Sequence, residues 1–217
     1  SDTMLGGGGA DTYTIQAGDA SSDGPADAFG IVGDIINEIG GDLSSDAGDS
    51  VALAGLTGID SVAFERTAIR FEDDEATLRM TTTNADGKSD VVHIFDHYNE
   101  DLPFRQVEQL LLDEGWEDDQ IWNLVAGTKR TDLDAGKTGE TLTGEAYRDV
   151  LVGGSGDDIL ISGGGIDVMQ GGAGSDTFVL GASEYEGTVT DAHGNVTMIR
   201  DYVAGEDDID LSEDHWE

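Results

Sequence analysis

The sequence contains no cysteine and only two prolines among its 217 residues. Disulfide bonds and thiol chemistry are therefore excluded, although small secreted domains often depend on disulfides for stability. Basic residues are scarce, since ten Lys and Arg stand against 47 Asp and Glu, for a formal net charge of −37. Nucleic acid is excluded as a partner because phosphate binding needs a basic face, and anionic membrane surfaces are disfavoured for the same reason.

Long apolar runs are also missing, and no stretch approaches the ~20 residues of a membrane span. The apolar fraction is 37%, which is low for a globular chain. Such a chain repels itself and has little core to offset the repulsion. One interpretation is that bound cations complete the fold. The other is that an acidic surface keeps the protein soluble, notably in salty surroundings.

Glycine, by contrast, is abundant, and much of it falls in a repeat. Residues 153–161, 162–170 and 171–179 are three tandem nonapeptides of the form G-G-x-G-x-D-x-U-x, where U is a large apolar residue. A flexible linker would show no phase between glycine, acid and apolar residue, so that interpretation fails here. The phase predicts a parallel β-roll that binds calcium between its turns.

Each nonapeptide divides into a six-residue turn and a three-residue strand. Glycine supplies the turn with backbone angles that other residues avoid. Alternate side chains of a strand face opposite ways, so only the U residue points inward. Leu160, Met169 and Phe178 are therefore expected to stack as a thin core.

The acid that ends each turn is the expected calcium ligand. Calcium takes six to eight oxygens from carboxylates and main-chain carbonyls, and the turn offers both. Nine residues make half a coil, so acids eighteen apart should stack: Asp158 over Asp176, and Asp167 over Asp149. The candidate metal residues of this block are Asp149, Gly153, Gly154, Gly156, Asp158, Gly163, Gly165, Asp167, Gly171, Gly172, Gly174 and Asp176.

The repeat continues upstream in degraded form. Residues 144–152 keep Asp149 but have lost most glycines, and residues 135–143 have Glu140 at the acid position and Leu142 at the apolar one. These two units are expected to close the end of the roll, with poor or absent metal sites.

A separate copy of the repeat opens the chain. Residues 6–14 form a full unit, and residues 1–5 match the back half of a preceding one. We therefore expect the chain to be a fragment of a longer protein. The candidate metal residues of this block are Asp2, Gly6, Gly7, Gly9 and Asp11.

Between the blocks the repeat stops. Residues 17–25 are predicted to be a loop, and residues 26–39 a helix, with a short buried strand at Asp34-Ile35-Ile36 as the rival interpretation. A second helix is predicted over 103–113, and residues 121–125 are an apolar segment of undecided type. Strands are predicted over 50–53, 61–65, 68–71, 77–82 and 91–95, with a hairpin turn at 84–87.

The two nonapeptide blocks resemble those of the RTX (repeats-in-toxin) proteins. Residues 176–180, 199–202 and 205–211 are similar to the way RTX chains leave the roll. The middle segment, at Gly18-Asp19, Asp34-Ile35-Ile36, residues 49–53 and residues 91–95, resembles the haemolysin-type calcium-binding related domain. The resemblance implies a mostly β protein in four parts. These are a first roll block over 1–14, an interrupting α+β segment over 15–125, a second roll block over 126–180 and a C-terminal β cap over 181–217.

The resemblance also implies a function. RTX proteins leave Gram-negative bacteria through type I secretion machinery, and extracellular calcium modules bind with Kd around 10⁻⁴–10⁻³ M. The chain would stay unfolded at low cytosolic calcium and fold outside the cell. By the family pattern the secretion signal is C-terminal, and residues 209–217 are a candidate for its beginning.

No catalytic motif is present in the sequence, so the chain itself is predicted not to be an enzyme, while its parent protein could be an enzyme or a toxin. His93 and His97 would form a zinc face on a helix, but the surrounding β-rich run favours a strand and a structural role. The alternative function is an adhesin or carbohydrate-binding module, in which Trp116, Trp122 and Tyr98 would stack on sugar rings rather than serve as core residues.

Overall fold

The computed structural model describes residues 2–6, 10–16, 18, 31–37, 49–56, 58–68, 76–83, 89–98, 107–112, 121–125, 139–145, 148–180 and 197–211. Within these ranges the chain is almost entirely strand, and the described helix is one 3-10 turn at Ile59–Ser61. The chain divides into two compact units, Ser1–Ile121 and Trp122–Glu217. No helix in the described ranges is long and apolar enough to cross a membrane.

The first unit contains eight of the described strands. They are β1 (Thr3–Leu5), β2 (Thr12–Gln16), β3 (Asp34–Asn37), β4 (Ser50–Ala54), β5 (Val62–Thr67), β6 (Thr77–Thr83), β7 (Ser89–Ile94) and β8 (Gln109–Leu112). One sheet has the order β1-β3-β7-β6-β5, and another places β4 between β2 and β8. β1, β3 and β7 are parallel, as are β2, β4 and β8, while β5, β6 and β7 form an antiparallel meander.

Both helices predicted for the middle segment are wrong in their described parts. Residues 34–37 are strand β3 and residues 109–112 are strand β8, so the α+β expectation gives way to β structure there. All four residues of β3 are buried, and β3 lies between the parallel neighbours β1 and β7. A strand covered on both faces has a continuous apolar sequence, which can equally match helical spacing.

The strands predicted over 50–53, 61–65, 77–82 and 91–95 are confirmed as β4 to β7, and the undecided segment 121–125 contains a strand. β6 and β7 pair antiparallel, as a hairpin requires. The hairpin turn at 84–87, the loop at 19–25 and most of the strand predicted at 68–71 lie outside the described residues.

The second unit contains the long repeat block. Its strands are β9 (Ile121–Leu124), β10 (Thr141–Thr143), β11 (Asp149–Ser155), β12 (Ile159–Ile161), β13 (Val168–Ala173), β14 (Thr177–Val179), β15 (Met198–Ile199) and β16 (Asp208–Asp210). Successive strands from β10 to β14 alternate between two sheets. β10, β12, β14 and β16 form one, and β9, β11, β13 and β15 lie side by side in the other, every neighbouring pair being parallel.

The register follows the nonapeptide. Leu142 pairs with Leu160 and Leu160 with Phe178, so neighbours in a sheet are eighteen residues apart. The U residues of both sheets pack into one buried cluster, which consists of Leu142, Leu151, Leu160, Met169 and Phe178. The predicted stack of Leu160, Met169 and Phe178 is therefore confirmed. Because each strand contributes one U side chain to the interior, the core between the two sheets is thin.

The C-terminal strands add one more coil to this unit. β15 pairs with β13, and β16 pairs with β14, each in parallel. Ile209 takes the register position of a U residue beside Phe178, yet it is 44% exposed. The described tail therefore extends both sheets by one strand and leaves its outer layer in contact with solvent.

Candidate metal centre

The acids of successive coils are joined by a repeated hydrogen bond. Asp158 N–H donates to Oδ1 of Asp176 at 2.9 Å, and Asp149 N–H donates to Oδ1 of Asp167 at 3.0 Å. Glu140, at the degraded acid position, donates in the same way to Oδ1 of Asp158 at 2.7 Å. All five residues are buried. The predicted stacking of acids eighteen residues apart is thus confirmed, and we call this series of bonds the acid ladder.

The second oxygen of the acid lies over the first glycine of its own turn. A Cβ placed on Gly153 would lie 2.5 Å from Oδ2 of Asp158, and one on Gly171 would overlap Oδ2 of Asp176. Gly144 has the same relation to Asp149, with a separation of 2.8 Å. Each of these three turns therefore forms a cradle that holds one carboxylate oxygen against bare main chain.

The other turn glycines let the main chains of successive turns pack in direct contact. Gly154 and Gly156 have φ of 104° and 109°, a conformation that favours glycine. In the next coil of the same edge, a Cβ on Gly172 or Gly174 would overlap the carbonyl oxygen of Gly154 or Gly156. Main-chain carbonyls of one turn therefore lie directly against the next turn, where no side chain intervenes.

The turn over 162–167 belongs to the opposite edge. Gly163, Gly164 and Gly165 all have positive φ, between 83° and 124°, and a Cβ on Gly163 would overlap the carbonyl oxygen of Gly144. Asp167 closes this turn and is fully buried.

Burial and mutual repulsion act on these carboxylates. Burial raises the pKa of the Asp176 carboxyl, the hydrogen bond from Asp158 counters the rise, and Asp207, Asp201 and Asp157 add to it through their negative charges. Burial likewise raises the pKa of the Asp149 carboxyl. The ionised form of such groups is costly without a nearby cation, because desolvation disfavours charge.

A scan against protein families now identifies the repeat. The RTX calcium-binding nonapeptide repeat matches in four copies, at residues 1–19, 134–169 and 162–183. The chain carries RTX calcium-binding repeats. No curated protein matches it.

Calcium fits the RTX turns of the second unit. It is a hard cation that takes carboxylate and carbonyl oxygens, and these turns place a buried carboxylate beside glycine carbonyls. The described ranges hold no group of three or more His, Asp or Glu side chains arranged for a metal. Asp158, Asp167 and Asp176, with the carbonyls of their turns, are the residues that would hold the ion.

Asp149 has hydrogen-bond donors on both carboxylate oxygens. Its Oδ1 accepts a hydrogen bond from Asn123 Nδ2 at 3.0 Å and its Oδ2 accepts one from Glu145 N–H at 2.8 Å. Protein donors thus already serve both oxygens. Asp149 stays a candidate ligand, and poor metal binding in the degraded coils stays a prediction.

The first RTX block is joined to residues that sequence reasoning did not select. Asp2 N–H donates to Oδ1 of Asp34 at 2.8 Å, and Asp11 N–H donates to Oδ1 of Asp49 at 2.7 Å. Of the glycines proposed here, Gly6 is described, whereas Gly7 and Gly9 lie outside the described residues. The available signal was an acid placed directly before an apolar strand, at Asp34-Ile35 and at Asp49-Ser50-Val51.

Two further acids close the last RTX turn. Asp201 accepts hydrogen bonds from the N–H groups of Gly171 and Gly172 at 3.0 and 2.8 Å. Asp207 accepts from Asp176 N–H at 3.0 Å and so takes the next position of the acid ladder. Neither lies in a nonapeptide, so the repeat pattern could not select them.

The remaining candidate groups are two histidines and three aromatic residues. Nε2 of His93 lies 3.1 Å from the carbonyl of Val32, whereas Nδ1 of His97 accepts a 3.4 Å hydrogen bond from Val107 N–H, so the two rings bond different groups. Trp122 and Tyr98 are 2% and 1% exposed, which leaves neither ring a free face for a sugar. Trp116 lies outside the described residues.

Proposed function

We propose that this chain is a calcium-binding RTX module that folds when it meets extracellular calcium, and that it supports the type I secretion and the stability of a larger secreted protein. Its second unit would be a parallel β-roll completed by calcium. No catalytic step is assigned to the chain itself.

The acid ladder of the second unit carries this proposal. Asp158 and Asp176 are buried, stacked and hydrogen-bonded, and their second oxygens lie in glycine cradles beside main-chain carbonyls. Stacking like charges in a buried row is unfavourable unless a cation compensates, because burial and like charge both disfavour ionisation. A dication between the turns removes both costs.

The overall charge favours the same mechanism. At a net charge of −37 the chain repels itself, and its low apolar content gives little to oppose that repulsion. A site in free calcium at 100 times its Kd adds about 2.7 kcal/mol to the free energy of unfolding. A few such sites equal the total stability of about 5–15 kcal/mol of a typical domain.

Export follows from the difference in calcium between compartments. Extracellular calcium modules bind with Kd around 10⁻⁴–10⁻³ M, far above cytosolic calcium. The second unit would therefore stay unfolded in the cytosol of a Gram-negative cell, in a form that a secretion channel can pass. It would fold on arrival outside, where millimolar calcium occupies its turns.

Far-UV circular dichroism of the whole chain tests the proposal. The spectrum is recorded in chelator and then during titration with calcium, with magnesium as the control ion. We expect β signal to grow with calcium and not with equal magnesium, since magnesium demands stricter octahedral geometry. A spectrum in chelator that calcium does not change would show the proposal to be wrong.

A further inference from the structure

The first unit has an acid ladder of its own, which begins at the nonapeptide acid Asp11 and continues through residues that are not in nonapeptides. Asp11 N–H donates to Asp49 Oδ1 at 2.7 Å, and Asp49 N–H donates to Glu108 Oε2 at 2.8 Å. These acids precede β2, β4 and β8, as the repeat acids precede β12 and β14. The parallel coils of the first unit therefore use the same main-chain joint.

The glycine cradles that the structure describes lie in the second unit. A carboxylate oxygen lies at the Cβ position of Gly144, Gly153 and Gly171, all in the second unit. Gly33, which precedes Asp34, packs instead against the main chain of Val91. A Cβ at Gly18, Gly55 or Gly58 would meet nothing within 4 Å, so no carboxylate that the structure describes lies over these glycines of the first unit.

Arginine side chains supply positive charge within the first unit. Arg66 is 5% exposed, and its guanidinium lies 4.0 Å from the ring centroid of Tyr98. Arg79 Nη1 lies 2.7 Å from Glu65 Oε2 on the neighbouring strand. Buried Asp90 also has a main-chain donor, because Gly18 N–H bonds to its Oδ2 at 2.8 Å.

The first unit also holds most of the buried apolar side chains in the described residues. Leu78, Met80 and Ile94 lie fully buried in the meander of β5, β6 and β7. Full burial of such a side chain contributes about 1.5–3 kcal/mol. Antiparallel neighbours close in sequence also pair at a lower loop-closure cost than parallel coils.

We infer that the two units differ in their need for calcium: the part of the first unit that lies between the RTX blocks folds without it, on hydrogen bonds, arginine contacts and an apolar core, and the second unit folds only with it. This rests on the proposed function for the second unit and adds that the residues between the RTX blocks form a calcium-independent body. The chain would then meet calcium already half folded.

Amide hydrogen exchange on the whole chain, read by mass spectrometry in chelator and in millimolar calcium, tests this. In chelator we expect slow exchange for peptides within 50–54, 62–67, 77–83 and 89–94, and fast exchange for those within 149–179. Calcium at 100 times Kd should slow exchange in 149–179 by about 100-fold and leave the first set nearly unchanged.

The other outcomes separate the two claims. Fast exchange in both sets in chelator, with both slowed by calcium, overturns the inference and leaves the proposed function standing. Slow exchange in both sets in chelator overturns the proposed function.

A pair of variants assigns the protection to each unit. Met80→Ala should speed exchange of the first set in chelator, while Asp176→Ala should leave that set unchanged and weaken only the calcium response of 149–179. An Asp176→Ala variant that loses protection in the first set would also overturn the inference.

Discussion

The main-chain N–H of Asp158 donates a 2.9 Å hydrogen bond to Oδ1 of Asp176, the acid one full coil later in the sequence. One carboxylate thereby serves two purposes, since Oδ1 sets the spacing of adjacent coils and Oδ2 lies over Gly171 in the turn that would hold calcium. Coil stacking and the proposed metal binding are therefore coupled through a single side chain.

Replacing Asp176 with alanine should therefore weaken calcium-driven folding strongly. A buried hydrogen bond to a charged group is worth about 1.5–3 kcal/mol, so we expect the calcium midpoint to rise at least tenfold by circular dichroism. Asp208→Ala removes the same charge from an exposed neighbouring position and is the control. Equal shifts in the two variants would show that general charge, and not the ladder, sets the response.

Gly171→Ala tests the cradle directly. Gly171 does not have positive φ, so alanine brings no backbone strain, but its Cβ would overlap Oδ2 of Asp176. Overpacking of this kind costs about 1–3 kcal/mol, and the calcium midpoint should rise accordingly. Gly58→Ala is the control because a Cβ there meets nothing within 4 Å. If the Gly171→Ala variant has the same calcium midpoint as the parent chain, the Asp176 carboxylate does not lie at that position.

The column of U residues predicts a contrast between adjacent side chains. Leu160 is fully buried and Ile159 is 39% exposed. Leu160→Ala should lower the free energy of unfolding in calcium by about 2–5 kcal/mol, whereas Ile159→Ala should cost far less. Denaturant unfolding in saturating calcium measures both losses. Similar losses would show that residue 159 contributes to the core as much as residue 160 does.

His97 predicts an acid sensitivity in the first unit. Burial lowers its pKa to about 3, and the positive charge of Arg66 adds to the effect. In the unfolded chain the His97 imidazole has a pKa near 6.5 and binds a proton that it does not bind in the folded chain. The contribution of this neutral imidazole to the stability of the folded chain is therefore complete above pH 6.5. It is lost by about 1.4 kcal/mol per pH unit as the pH falls from 6.5 toward 3.

The pH effect is measured as a difference between slopes. Unfolding of the whole chain is followed at pH 7, 6 and 5, and His97→Gln should show a shallower loss of stability than the parent chain, whatever its stability at pH 7. Parallel slopes would mean that carboxylates alone govern the acid response.

The nonapeptide region could be predicted from sequence in detail. Its register, its stacked acids and its core of Leu160, Met169 and Phe178 all follow from a local rule that repeats every nine residues. Each repeat unit has nearly the same surroundings, so a residue's environment there depends on its phase. The same rule could not find Asp201 and Asp207, which complete the last turn from outside the repeats.

In two parts of the middle segment the sequence pattern did not predict the secondary structure correctly. Residues 34–37 and 109–112 have apolar spacing that suits either a helix or a strand buried on both faces. Parallel partners decide in favour of strands, since β3 lies beside β7 and β8 beside β4. Those partners are more than fifty residues away in the chain and leave no mark on the local pattern.

By itself, then, the sequence determined the calcium chemistry: phase, glycines and acids are local, and a local repeat gives each turn the same oxygens. Only the tertiary structure decided that residues between the blocks form parallel coils joined by Asp49 and Glu108. The physical reason is that a parallel strand is stabilised by distant partners, whereas a nonapeptide turn is shaped by its own nine residues.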